Sequence, residues 1–170
     1  MIQVLILMGS DSDAPVMAAS GEVLTELGVV WEMTVASAHR SPSRVMRLVA
    51  GAPARGVRVF IVGAGAAAHL AGVVAAHTTL PVIGVPIDSS ALKGLDALLS
   101  TAQMPPGVPV ATVAIGRPGA TNAGVLAVQM LALGEPALAD RLARYKQTLE
   151  QKVEAAAARL EAAARTPPTR

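Results

Sequence analysis

Short, almost continuously apolar runs alternate along this chain with longer segments that carry helix-start and helix-stop signals. The runs are rich in Val, Ile and Leu, as expected for parallel strands that helices cover on both faces. A regular alternation of such strands with helices is typical of βαβ units. We therefore expect an α/β fold: a three-layer α/β/α sandwich of the flavodoxin or Rossmann type with a mostly parallel central sheet. The predicted strands are residues 2–8, 29–36, 57–62, 82–85 and 108–115.

Capping residues mark the predicted helices. Pro15 suits the first turn of one helix and Gly28 suits its end, while Ser41 and Pro42 open a second helix that runs toward residue 54. From residue 136 to about residue 165, apolar residues at helical spacing predict one long C-terminal helix. We interpret residues 1–165 as a single catalytic domain and residues 166–170 as a flexible tail. Three further helices are expected at residues 66–78, 91–102 and 123–133.

The composition excludes several classes of function. The chain has no Cys, which removes disulfides, thiolate metal sites and Cys nucleophiles. The net charge is only +2, without a Lys/Arg cluster or an aromatic platform, so nucleic-acid binding is not expected. Only 15% of the residues are charged whereas 52% are hydrophobic. We interpret that surplus as apolar surface buried between the subunits of a homo-oligomer.

Two apolar segments must be compared with targeting and membrane signals. The N-terminus is apolar, but it has no basic stretch and runs directly into a turn, which favours a strand over a signal peptide. Residues 59–76 are uncharged over the length of a membrane span, yet Gly63, Gly65, His69 and Gly72 interrupt them. A strand, a Gly loop and a helix in succession explain this segment better. We expect a soluble, cytoplasmic protein without membrane contact.

Candidate chemistry lies where the first three strands lead into helices, because ligands of open parallel sheets bind beyond the carboxyl ends of the strands. These junctions read GSDSD at 9–13, SAHR at 37–40 and GAGAAAH at 63–69. The first places small hydroxyl residues at a helix N-terminus, where free N–H groups favour an anion. Simple capping of the helix explains the GSDSD motif equally well. An aspartate in this loop also suits a ribose diol, because a carboxylate only accepts hydrogen bonds.

The second junction contains His39 and Arg40, and it is the strongest indication of a functional site in this sequence. A guanidinium is a natural fork for phosphate or carboxylate, and an imidazole moves protons near neutral pH. The third junction is nearly all Gly and Ala, which suits a small, dry pocket that His69 either lines or borders as a helix cap. The sequence lacks GxGxxG, GxSxG and metal-ligand spacings. We therefore expect a site without metal or organic cofactor.

Six motifs occur together in this chain: GSDSD at 9–13, SAHR at 37–40, GAGAAAHLAG at 63–72, PVIGVP at 81–86, QMPPGVPVATVAIG at 103–116 and NAG at 122–124. In combination they closely resemble the N5-carboxyaminoimidazole ribonucleotide mutase (PurE) family over about residues 2–150. The resemblance implies a cofactor-free step of de novo purine biosynthesis. A carboxylate moves from the exocyclic nitrogen of an aminoimidazole ribonucleotide to a ring carbon, giving 4-carboxy-5-aminoimidazole ribonucleotide. It also implies a three-layer α/β fold assembled as a homo-octamer.

The resemblance further implies roles for individual residues. Ser10 and Asp13 would contact the phosphate and the ribose, and Arg40 would pair with the phosphate. His39 would be the catalytic acid–base group. The other implied site residues are Ser37 with the backbone of Gly63 and Gly65 at the carboxylate or CO2 pocket, His69 as a second histidine, and Gln103, Met104 and Pro105 as a segment closing over the substrate from a neighbouring subunit.

Two departures from the family pattern bear on which substrate form is used. Ala66 stands where the family often has Gly, and Ala71 stands where it usually has Pro. The nearest alternative is an enzyme of the same fold that carboxylates aminoimidazole ribonucleotide directly with CO2. A non-catalytic mononucleotide- or flavin-binding module would give His39 no role, and the scarcity of aromatic residues counts against a flavin. A relative that carboxylates another heterocycle would fit the ribose-phosphate contacts poorly.

Overall fold

Five parallel strands form one sheet in the computed structural model, which describes residues 1–164. The strands are β1 (Val4–Met8), β2 (Trp31–Val35), β3 (Val59–Gly65), β4 (Val82–Ile87) and β5 (Ala111–Thr112), in the spatial order β2-β1-β3-β4-β5. The helices are α1 (Ala14–Glu26), α2 (Pro42–Gly51), α3 (Leu70–Ala76), α4 (Leu95–Ala102), α5 (Gly116–Ala132) and α6 (Pro136–Ala164). The predicted helix end at residue 165 and the tail at 166–170 lie outside the described residues.

Side chains of the central strands alternate between two buried faces. In β1, Val4, Ile6 and Met8 pack with residues of α1, α5 and the start of α6. Leu5 and Leu7 point to the other face and pack with residues of α2, α3 and α4. All five β1 residues are fully buried, as expected for a strand covered by helices on both sides. The predicted three-layer α/β/α sandwich with a parallel sheet and a long C-terminal helix is confirmed.

The edge strand β2 is held to the adjacent helix α1 by the only Trp of the sequence. The indole ring of Trp31 lies over Gly21, where an added Cβ would come within 2.5 Å of the ring. Its Nε1–H donates a hydrogen bond of 2.9 Å to Thr25 Oγ1. Gly21 therefore makes room for the indole, and one contact joins the middle of α1 to the first residue of β2.

The last strand is much shorter than the predicted run of residues 108–115, and that prediction was wrong in extent. Only Ala111 and Thr112 pair with β4. The chain before them turns, because Val108 N–H donates to Pro105 O over 3.2 Å. Pro109 has no N–H to donate to a strand ladder. Proline and a turn therefore limit the pairing of an otherwise apolar run.

Three helices begin at residues other than those predicted, and for two of them the reason is the local backbone conformation. Helix α3 begins at Leu70 rather than 66, because Ala66 adopts a positive φ of 50°. Helix α4 begins at Leu95 rather than 91, because Lys93 and Gly94 have φ values of 51° and 84°. Conversely, α5 begins at Gly116 rather than 123.

Parallel pairing brings the carboxyl ends of the strands to one edge of the sheet. Met8, the last residue of β1, pairs with Val35 on one side and with Gly63 on the other. The segments that follow β1, β2, β3 and β4 therefore emerge beside one another. Residues 59–76 are a strand, a loop and a helix, as the sequence indicates, and no helix within residues 1–164 is long and apolar enough to cross a membrane.

Gly119 provides a test of the packing at the start of α5. A Cβ added there would lie 1.6 Å from the carbonyl oxygen of Ala114, a backbone atom that cannot move aside cheaply. We expect Gly119→Ala to lower the free energy of unfolding by about 1–3 kcal/mol, as overpacking does. The measurement is chemical denaturation of the purified variant.

Gly51, at the end of α2, is the matched control for this experiment. Apart from its chain neighbours and the nearby backbone of its own helix, no atom lies within 4 Å of a Cβ added at Gly51. Because alanine has the higher helix propensity, we expect Gly51→Ala to leave the stability unchanged or to raise it by up to about 1 kcal/mol. Equal free energies of unfolding for the two variants would contradict the packing explanation.

Candidate active site

A cavity of about 360 Å³ lies at the carboxyl edge of the sheet, between the segments that follow the first four strands. The wall combines hydroxyl, carboxylate, guanidinium and imidazole groups with small apolar residues. The lining residues are Gly9, Ser10, Ser12 and Asp13 after β1; Ser37, Ala38, His39 and Arg40 after β2; Ala64, Gly65, Ala67, His69 and Leu70 around the end of β3; and Ser89 after β4.

The loop after β1 is held by a capping box. Ser10 caps a 3-10 turn at Asp11–Asp13, and its backbone N–H donates to Asp13 Oδ2 over 3.2 Å. The Ser12 hydroxyl lies 2.9 Å from Ser10 Oγ. Pro15 follows in the first turn of α1, as predicted. Two hydroxyls therefore border the cavity at the N-terminal end of a thirteen-residue helix, where the helix dipole favours an anion.

Asp13 is the buried carboxylate of the cavity. Its side chain is only 6% exposed. Burial raises the pKa of Asp13 above its ordinary value, because desolvation disfavours the charged form, while the Ser10 N–H and the Arg40 guanidinium partly oppose that rise. Keeping this carboxylate ionised at the cavity wall costs folding free energy. A carboxylate that is buried in a cavity wall and has a perturbed pKa is a candidate ligand-binding group.

The loop after β2 folds around two serines and places Arg40 over the first loop. Ser41 N–H donates to Ser37 O over 2.9 Å, and Ser37 N–H donates to Ser41 Oγ over 3.1 Å. Ser37 Oγ accepts from the backbone N–H of Arg40 over 3.2 Å. The Arg40 guanidinium then donates to the carbonyl oxygen of Gly9 over 2.9 Å. This contact keeps a fixed positive charge beside the hydroxyls of the first loop.

His39 and His69 contact each other directly across the cavity. His39 Nε2 lies 2.8 Å from His69 Nδ1, and the two rings are nearly perpendicular with centroids 5.0 Å apart. A hydrogen bond between ring nitrogens needs one N–H donor and one bare acceptor nitrogen. At least one of the two rings is therefore neutral in this arrangement. The sequence predicts each histidine for the site but carries no sign of their contact.

Small residues after β3 form the opposite wall. A Cβ added at Gly65 would lie 1.8 Å from Ser89 Oγ, so glycine here is what leaves room for that hydroxyl. Ala67 and Leu70 continue the wall toward His69. This part of the cavity wall is mostly apolar, and it lies next to the imidazole pair.

Seven of the residues predicted for the site line this one cavity, namely Ser10, Asp13, Ser37, His39, Arg40, Gly65 and His69. Four predicted residues do not line the cavity. Gly63 instead faces the core, where an added Cβ would lie 2.3 Å from the sulfur of Met17. Gln103, Met104 and Pro105 follow α4, and the Met104 side chain packs near Gly72 of α3.

Ser89 is the principal lining residue that sequence reasoning missed. It belongs to the segment Asp88-Ser89-Ser90 that directly follows β4. The rule that ligands bind beyond the carboxyl ends of parallel strands, applied to the fourth strand as well, would have found it. Within residues 1–164, no three His, Cys, Asp or Glu side chains come together as a set of metal ligands.

Comparisons with known proteins identify the family of this chain. The sequence model of the family described as AIR carboxylase matches residues 3–152. The chain is 53% identical over 156 residues to an N5-carboxyaminoimidazole ribonucleotide mutase of Pyrococcus horikoshii, covering 92% of this chain and 87% of that relative. It is 51% identical over 161 residues to one of Thermotoga maritima, covering 95% and 93%. These matches confirm the resemblance drawn from the motifs.

The fold is similar to that of a crystal structure of PurE from Treponema denticola. The TM-score is 0.84 with 27% sequence identity, and the alignment covers 94% of this chain and 99% of that chain.

The raised pKa of Asp13 predicts a pH-dependent contribution to stability. Because the folded protein binds this proton more tightly than the unfolded chain does, the contribution is greatest below the unfolded value of about 3.9 and is lost as pH rises through the folded value. Asp13→Asn keeps an acceptor for the Ser10 N–H and removes the charge. We expect the stability of the wild type relative to Asp13→Asn to fall as pH rises from about 4 toward neutrality.

Chemical denaturation of both proteins at a series of pH values measures this difference. At neutral pH, the variant should be at least as stable as the wild type. A difference in the free energy of unfolding that does not change with pH would contradict the burial argument.

Proposed function

The chain belongs to the AIR carboxylase family, and we propose that its reaction is that of its mutase relatives. In this reaction, the carboxylate on the exocyclic nitrogen of an aminoimidazole ribonucleotide moves to a ring carbon. The product is 4-carboxy-5-aminoimidazole ribonucleotide. The observation that carries the assignment is the identity of about half of the aligned residues with curated mutases over nearly the whole chain. The enzyme is an isomerase of purine biosynthesis.

The first two loops suit a ribose phosphate. The hydroxyls of Ser10 and Ser12, the N-terminal end of α1 and the Arg40 guanidinium supply donors and positive charge for the phosphate. Asp13 offers a carboxylate acceptor to the ribose hydroxyls. Hydrogen bonds from those hydroxyls would stabilise the ionised form that burial disfavours. Binding and the unusual burial of Asp13 thus have one explanation.

His39 is proposed as the group that moves protons. It donates a proton to the carbamate nitrogen, the C–N bond breaks with its electron pair going to that nitrogen, and CO2 is released. The ring carbon then attacks CO2 and forms the new C–C bond, and its proton returns to His39. No other reactant is consumed, since the same proton-carrying group serves both halves of the reaction.

His69 would assist by sharing the His39 proton. Their 2.8 Å contact allows one imidazole to donate to the other, which fixes the tautomer and the orientation of His39. The ring that carries the proton can therefore be held in place while the substrate is bound. This role needs no movement of either loop.

The Gly/Ala wall is proposed as the holding place for CO2. CO2 is neutral and binds weakly, so enclosure matters more than charge for keeping it near the ring carbon. Gly65, Ala67 and Leu70 supply an apolar surface next to the histidines. The Ser37 and Ser89 hydroxyls at this end can donate to carboxylate oxygens before and after the transfer.

We further propose a cytoplasmic homo-oligomer, an octamer as the family resemblance implies. In this assembly, Gln103, Met104 and Pro105 would close over the cavity of a neighbouring subunit rather than their own. Exposed apolar side chains beside that segment support a covered surface, with Leu92 62%, Leu95 51% and Leu99 47% exposed.

Direct carboxylation of aminoimidazole ribonucleotide with CO2 is the second candidate, because the matched family model carries the description AIR carboxylase. Ala66 and Ala71, the two departures from the family pattern, belong to the loop and helix beside the CO2 wall. Both reactions use the same nucleotide and the same cavity. Substrate tests therefore decide between them.

The first experiment offers the purified enzyme either the N-carboxylated nucleotide or the uncarboxylated nucleotide with bicarbonate. We expect turnover of the carbamate to be insensitive to added bicarbonate, because CO2 stays enclosed between release and attack. Formation of 4-carboxy-5-aminoimidazole ribonucleotide is followed directly. A rate that requires and scales with CO2 would assign the direct carboxylase reaction instead.

The second experiment replaces the proton carrier. We expect His39→Asn to lower kcat by at least about a hundredfold, the usual contribution of a general acid–base group, with product affinity within about threefold of the wild type. Steady-state kinetics and calorimetric titration with the product measure the two effects.

His77→Asn is the matched control, since His77 lies at the end of α3 and its Nδ1 is 2.8 Å from the carbonyl oxygen of Val73. That substitution should leave kcat unchanged. Turnover like that of the wild type in His39→Asn would refute the role of His39.

A further inference from the structure

The loop between β3 and α3 follows a backbone course that its sequence does not favour. Ala66 adopts a φ of 50°, in the left-handed region where alanine is less stable than glycine by about 1 kcal/mol. The loop then closes tightly, with His69 N–H donating to Ala67 O over 2.8 Å. This strained loop carries His69 to its contact with His39 and Ala67 to the cavity wall. An interaction from elsewhere in the fold must hold it.

Ser100, on α4, makes that interaction. Its Oγ accepts a hydrogen bond of 3.0 Å from the backbone N–H of Ala68. The hydroxyl has a single hydrogen to donate, and the carbonyl oxygen of Asp96, one turn earlier, is its shortest acceptor at 2.8 Å. The carbonyl oxygens of Ala97 and Ala66 lie farther away, at 3.2 Å and 3.5 Å. Donation to Asp96 leaves the oxygen lone pairs free to accept from Ala68. Because Ala68 is buried, its N–H would lose a needed partner if the hydroxyl were absent.

We propose that Ser100 is a positioning residue for the reaction, which it serves by holding the Ala66–Ala68 turn that places His69 against His39. The proposal rests on the proposed function, because it assigns the imidazole pair to catalysis. Ser100 itself does not line the cavity. It acts through the backbone of the loop.

Loss of the Ser100 hydroxyl should affect the third loop and leave the first two loops in place. Without a partner for Ala68 N–H, the strain at Ala66 favours relaxation of the loop and withdrawal of His69 from His39. The groups proposed for phosphate and ribose lie on the other two loops, which have hydrogen bonds of their own. We therefore expect loss of the Ser100 hydroxyl to lower kcat and to leave the affinity for the nucleotide almost unchanged.

The neighbouring residue on α4 provides a matched control. Thr101 Oγ1 donates to the carbonyl oxygen of Ala97 over 2.7 Å, the same bond to the preceding turn that Ser100 makes to Asp96. The Thr101 hydroxyl makes no hydrogen bond to the loop. Thr101→Val keeps the shape of the side chain and removes only the intrahelical bond. Comparing the two substitutions isolates the contacts that the Ser100 hydroxyl makes with the loop.

The experiment measures kcat and product affinity for Ser100→Ala, Thr101→Val and the double variant Ser100→Ala/Ala66→Gly in the full-length enzyme. We expect kcat to fall about tenfold in Ser100→Ala, a modest share of the loss that misplacing a catalytic group can cause. Product affinity should change less than about twofold, and Thr101→Val should keep kcat within about twofold of the wild type. Because glycine adopts a positive φ freely, Ala66→Gly should restore kcat about threefold in the Ser100→Ala background.

Crystal structures of the wild type and Ser100→Ala supply a readout that does not depend on activity. We expect the distance from His39 Nε2 to His69 Nδ1 to lengthen beyond hydrogen bonding in the variant. An unchanged distance, an unchanged kcat in Ser100→Ala, or an equal loss in Thr101→Val would overturn the proposal. A wild type inactive on the nucleotide would refute the proposed function, whereas the distance would still test the positioning by Ser100.

Discussion

Parallel pairing of β1 with both β2 and β3 is the interaction on which the rest of the structure depends. It fixes Met8 beside Val35 and Gly63, so that three loops of different sequence begin at the same level. Because β1 is buried on both faces, a slip of one residue would turn Val4 and Ile6 from one core to the other. The hydrophobic pattern of one short strand thus sets the position of the loops that contain the histidines, the carboxylate and the guanidinium of the cavity.

The cavity is formed by two groups of loops that are held in place by different hydrogen bonds. The first two loops are tied to each other by hydrogen bonds among their own polar groups, including the bond from Arg40 to the Gly9 carbonyl. The third loop, between β3 and α3, has little polar side-chain support of its own and accepts its support from Ser100 on α4. This division matches the chemistry proposed for each half. A nucleotide is held by charge and hydroxyls, whereas transfer of CO2 needs a tight wall and well-placed imidazoles.

Most of the fold and about half of the site follow from local sequence signals. β-branched runs and Pro or Gly punctuation suffice for the layers and for the first two loops, because capping and burial are decided within a few residues. Local sequence signals fail where contacts between distant parts of the chain determine the structure. Nothing local shows that Ala66 is held with a positive φ, that His39 reaches His69, or that Gly63 faces Met17 rather than the cavity. Motif resemblance predicted Gln103–Pro105 for the site, and these residues do not line the cavity of this chain.

The packing of Trp31 against Gly21 gives this protein an intrinsic fluorescent probe. It is the only tryptophan in the sequence, so under excitation that Tyr145 does not absorb, the emission comes from a single, known position. The indole bridges α1, whose N-terminal end borders the cavity, and β2, which leads into the loop of His39. Its emission maximum and quenching therefore follow the separation of these two elements without an attached dye. Loosening of the edge strand becomes visible in a fluorimeter even while the rest of the sheet stays intact.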